Sequence, residues 1–113
     1  MPSVPVARSS ALKSYLVFVA GLPRLDLGEQ AALQEKISVG DVRALQTLTE
    51  SFLPDVVAQA CALRGRGLRF EALIAAGNRG LSEALGQKQG PLALRVRRGV
   101  ERHLQAALAR VQA

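Results

Sequence analysis

Along most of this chain apolar residues recur three and four positions apart, and the breaks in the pattern fall at glycine and proline. Leu12, Tyr15, Leu16 and Val19 form the first stripe, with Phe18 assigned to it as well, and Gly21 and Pro23 stop it. Ser9 or Ser10 stands where an N-cap belongs. The opening stretch MPSVPVARSS carries two prolines and three serines, so residues 1–9 are expected to be a flexible arm and residues 10–113 a single helical domain. Asp26 and Glu29 have the spacing of a capping box and open a second helix, whose stripe of Ala32, Leu33 and Ile37 ends at Gly40. A third helix opens at Asp41 and carries Leu45, Leu48 and Phe52. Pro54 has no amide hydrogen to donate, so a kink or restart is expected there before Val56, Val57 and Ala60 take the pattern to Leu63.

After the RGRG stretch from Arg64 to Gly67, Phe70, Leu73, Ile74, Gly77, Leu81 and Ala84 fall on one side of a fourth helix. Its opposite side reads Ala72, Ala75, Ala76, Arg79, Ser82 and Glu83. Gly86, Gly90 and Pro91 make a short connection to the last helix, from about Leu92 to Val111. There Leu92, Val96, Val100, Leu104, Ala107 and Val111 form one ridge, with Arg95, Arg98 and Arg102 on the reverse. No internal repeat or low-complexity tract is present. The expectation is an all-α fold, a compact bundle of five to six helices. Composition agrees: 113 residues suffice for one core, and with aromatics at 4% and no tryptophan that core must be leucine, valine, isoleucine and alanine.

Charge adds direction to this picture. Of the net charge of +6, the segment from Gly86 onward carries +5, with six bases against the single acid Glu101. Asp26 to Asp55 leans the other way, with six acids against Lys36 and Arg43. A basic end beside an acidic flank points to polyanion contact on one surface only. The lone Cys61 rules out an intrachain disulfide, and no Cys, His and acid cluster has metal-ligand spacing, so an intracellular, cytoplasmic chain without metal or cofactor is expected. The apolar run Tyr15 to Leu22 falls short of the roughly 18 residues that argue for a membrane span. His103 has no acid or cysteine at catalytic spacing, and Cys61 is assigned to half-buried packing. With no triad, paired carboxylates or phosphate loop, an enzyme with a small-molecule substrate is the weakest class.

Glycine within the fourth helix is the residue choice that propensity least explains. Gly77 and Gly80 each cost about 1 kcal/mol against alanine, which close approach of a neighbouring helix would offset, while Gly65 and Gly67 suit a turn between helices.

RGRGL with Phe70 after it, then an apolar helix and GN.GL, closely resembles the segment of housekeeping-type bacterial RNA polymerase sigma factors that joins two helices and docks on the polymerase. Upstream, SYL, the G.PRL from Gly21, GEQAAL from Gly28, KI..GD from Lys36 and AL..L from Ala44 resemble the preceding helices of that family; downstream, VRRGVERHL from Val96 resembles its arginine-bearing helix. The resemblance runs from Ser10 to the end. It implies a core-binding helical domain whose relatives grip the clamp coiled coil of RNA polymerase and recognise and open the minus-ten promoter element.

Two departures limit what carries over. Where the family has an acid, a glutamine and a second acid, this chain has Ala72, Ala75 and Ala76. Where it has tyrosine, phenylalanine and paired tryptophans for unstacked bases, this chain has GPLALRV, with Leu94 and Arg95 at the tryptophan pair. Arg98 and Glu101 replace the residues that read the duplex edge. The resemblance therefore implies a degenerate member. Its polymerase-binding candidates are Ala72, Ala75, Ala76, Asn78, Arg79, Ser82 and Glu83, and its candidates for DNA-backbone contact are Lys88, Arg95, Arg97, Arg98 and Arg102. A solvated basic helix face is the plainer reading of the same arginines. No segment follows Ala113 to form the later sigma domains, so a complete initiation factor is not expected, the chain being either a fragment or a protein that has shed that role; a regulatory or decoy interaction module is the alternative.

Overall fold

Five helices make up the computed structural model, which describes the backbone of residues 3–112 and the side chains of residues 10–111: α1 Ser3–Ala20, α2 Leu27–Ser38, α3 Val42–Ala62, α4 Phe70–Gly86 and α5 Leu92–Gln112. Among the described residues there is no strand. The first helix begins ahead of Ser9 and Ser10, at Ser3; Met1 and Pro2 and the side chains of residues 3–9 lie outside the described residues, and with them the expected arm. Pro5 is compatible with this start because the first four amides of a helix have no partner within it.

Local chemistry sets the other starts and stops. Asp26 caps α2 through a full capping box, its Oδ1 accepting from the Glu29 amide at 2.7 Å while Glu29 Oε1 accepts from the Asp26 amide at 3.0 Å. Asp41 Oδ1 accepts from the Ala44 amide at 3.0 Å and opens α3. Pro54 neither ends nor restarts α3, which is one element throughout. Leu48, Phe52, Val56 and Ala60 anchor it on both sides of the proline, so their burial outweighs one missing donor. Gly65 and Gly67, at φ of 82° and 98°, make the turn into α4, and Arg64 stacks 4.8 Å from the centre of the Phe70 ring.

The core lies where α4 packs along α5 and both meet α3; α2 and α1 lean on α3 from outside. Backbone contact between α4 and α5 is closest at Gly80 and Gly99. A Cβ at Gly80 would stand 2.7 Å from the Gly99 carbonyl carbon and 2.8 Å from the Val100 Cα, and a Cβ at Gly77 would meet the Val56 Cγ1 at 2.7 Å. This close approach is what offsets the low helix propensity of these glycines. The ridge of α5 is Leu92, Val96, Val100, Leu104 and Leu108; Val111 is exposed and Ala107 only half-buried, so the buried stripe turns toward Leu108 at the end of the helix. Phe18 and Leu45 are exposed rather than part of their helices' core stripes, and Cys61 is exposed rather than half-buried.

Candidate functional site

Burial divides the seven α4 candidates into four orientations. Ala75, Arg79 and Ser82 face outward and are exposed. Ala76 is 0% exposed and belongs to the core, so it presents no surface to a partner. Gly80 and Gly99 explain its burial: they bring α5 so close that the helix side bearing Ala76 is covered as well as the side bearing Leu73. Ala72 and Asn78 are half-buried at the two margins. Glu83 is exposed but reaches toward α5.

At the Asn78 margin, α1 forms the opposite wall of an apolar groove of about 300 Å³, with Ala11, Leu12 and Tyr15 facing Glu71, Ile74 and Ala75. Asn78 Nδ2 donates to the Tyr15 hydroxyl at 3.4 Å, and Asn78 Oδ1 is buried with no hydrogen-bond partner. Turning the amide over leaves its nitrogen unpaired instead, because Tyr15 is its one side-chain partner among the described residues.

Arg95, Arg98 and Arg102 share one side of α5, as their spacing requires, yet they are not an open row. Arg95 is half-buried and donates to the carbonyl oxygens of Gly90 and Ala84, tying the α4–α5 connection to α5. Arg102 Nη2 donates to Glu83 Oε1, and His103 Nε2 lies 3.2 Å from Glu83 Oε2. This tertiary pairing holds the Glu83 carboxyl below the usual carboxylate range, first through the Arg102 hydrogen bond and then through His103. Arg98 makes no ion pair or side-chain hydrogen bond among the described residues, and with Arg95 and Arg102 it lines a recess of about 290 Å³ that includes Gln87, Gln89 and Leu94.

Arg97 and Lys88 fall away from this group. Arg97 points roughly 100° or more around α5 from the others and lines a cleft of about 570 Å³ between α3 and α5, together with Glu101 and the Arg24–Asp55 ion pair at 3.3 Å. Lys88 lies toward α2, in a recess with Gln34, Ile37 and Ser38 that Arg95 also lines, but outside the recess shared by Arg98 and Arg102. The expected set of five cations is thus two: an Arg95–Arg98–Arg102 cluster, and outliers on either side. The part of His103 is the residue-level feature that the sequence concealed, since its acid is twenty positions away and on another helix.

Fold and surface together define a small helical bundle with Ala75, Arg79 and Ser82 on the outer face of one helix and a guanidinium cluster on the next. A region of the chain is similar to RNA polymerase sigma factor SigA of Listeria monocytogenes, 36% identical over 85 residues that make up 74% of this chain and 23% of that protein. SigA of Listeria innocua is similar to the same extent. The chain spans 23% of the length of these curated relatives. No family model matches it. No helix among the described residues is long and apolar enough to cross a membrane.

Proposed function

We propose that this chain is a sigma-like protein of bacterial transcription, cytoplasmic, that binds core RNA polymerase at its clamp coiled coil through the outer face of α4 and touches DNA backbone through α5. The similarity to SigA over 85 residues carries the reading. Ala75, Arg79 and Ser82 are the contact residues on α4 that are free to meet a partner, flanked by Ala72 and Asn78. Within the α5 cluster Arg98 is the phosphate ligand without an ion pair among the described residues, and Arg95 and Arg102 stand beside it. The GPLALRV segment and the helix after it carry no tryptophan, tyrosine or phenylalanine, so this region offers no platform for unstacked bases, each of which is worth roughly 1–3 kcal/mol, and promoter melting by these residues is not expected.

A second reading keeps the polymerase contact and drops the DNA: a regulatory or decoy module at the sigma site. The internal engagement of Arg95 and Arg102 favours it, because two of the three clustered guanidiniums already have partners.

Co-sedimentation with core polymerase tests the shared claim, with an authentic sigma factor as competitor. Binding with competition and no promoter opening is the expected result. Failure to bind core enzyme at micromolar concentration sinks both versions.

A further inference from the structure

Glu83 stands at the seam between the two surfaces. It projects from α4, among the residues proposed to meet polymerase, yet both of its carboxylate oxygens are engaged by α5, one by Arg102 and the other by His103. The Arg102 and Glu83 side chains are 56% and 46% exposed, so either member of the pair is open to a competing ion. A guanidinium presents its donors in one planar fork, and donors turned toward Glu83 are lost to a phosphate. Arg98 shares the same side of α5 and carries no such tie. We infer that Glu83 is a positioning residue that competes with nucleic-acid phosphate for Arg102, so that a cationic side chain of a partner docking on α4 releases Arg102 to the DNA backbone.

The inference rests on the α5 cluster being a phosphate-contacting surface. It makes the two sites reinforce one another: a partner that captures Glu83 strengthens phosphate binding, and phosphate on Arg102 frees Glu83 for the partner by the same factor. His103 sets the strength of the hold without facing phosphate itself, since its Nε2 is directed at the second oxygen.

Binding of the full chain to a short fluorescent duplex across a salt series tests the competition without polymerase. Glu83→Gln preserves shape and removes the charge. Its affinity at low salt is expected to rise roughly two- to five-fold, the range of one surface ion pair, and the slope of log affinity against log salt to steepen by about 0.9, one further phosphate. Glu71→Gln makes the same change of net charge at the other end of α4, beside α1, and is expected to leave the slope unmoved. In an Arg102→Ala background, Glu83→Gln should no longer change the slope, and thermal unfolding verifies that each variant is folded. An unchanged slope in Glu83→Gln, or equal steepening without Arg102, overturns the proposal. If neither the parent chain nor Glu83→Gln binds duplex at low salt, the phosphate-contacting surface itself is refuted and the proposal falls with it, a result distinct from binding with an unmoved slope.

Discussion

A single added methyl separates the two kinds of glycine in α4. At Gly80 it would run into the backbone of Gly99 and Val100, which cannot swing aside as a side chain can. Gly80→Ala is therefore expected to lose about 3 kcal/mol, at the upper end for overpacking, whereas Gly86→Ala, with nothing near it, should be neutral or gain roughly 0.5 kcal/mol of helix propensity. Urea unfolding of the two variants reads the difference, and equal stabilities would refute backbone contact as the reason for Gly80. Glu83 permits a pH test at the same scale. Because its carboxyl titrates lower when folded than when unfolded, its contribution is complete above the unfolded value and disappears as pH falls through the folded one. The melting temperature of the wild-type chain should thus exceed that of Glu83→Gln at neutral pH and converge with it in acid; a gap that persists in strong acid contradicts the pairing.

At the scale of elements, helix boundaries were legible where a short-range rule decides them. The capping box at Asp26, the cap at Asp41 and the glycine turn before Phe70 all involve residues within a few positions of one another. A continuation that burial decides was not: α3 passes through Pro54, held by Phe52 and Val56 on either side of it. One polar contact joins α1 to α4 beside their apolar groove, and it leaves the Asn78 amide half satisfied. Tyr15→Phe should cost about 0.5–1 kcal/mol by leaving the amide with no partner, while Tyr15→Phe combined with Asn78→Leu should restore wild-type stability or exceed it. Thermal denaturation distinguishes the outcomes, and a double variant weaker than the single one would show that the pair is net stabilising.

For the whole molecule, the shortest dimension of 21 Å is about two helix diameters, so the bundle is a slab in which every helix retains an outward side. Surface, rather than a pocket, is what this architecture offers a partner. In that setting the placement of a cation matters more than the count of cations. Arg98→Ala is expected to weaken duplex binding and flatten the salt slope by about 0.9, while Arg97→Ala, on the α3 side of α5, should leave the slope within error. The reverse ranking would place the nucleic-acid contact in the α3–α5 cleft instead.

By itself, the order of apolar, capping and turn residues determined that the chain is helical, where α2 through α5 lie and that three arginines share one side of α5, because helical spacing is a property of the chain alone. Only the tertiary structure decided that Ala76 is interior and that Arg102 and His103 converge on Glu83. Those outcomes follow from how closely α4 and α5 approach at Gly80 and Gly99, and a distance between helices is not encoded in the periodicity of either one.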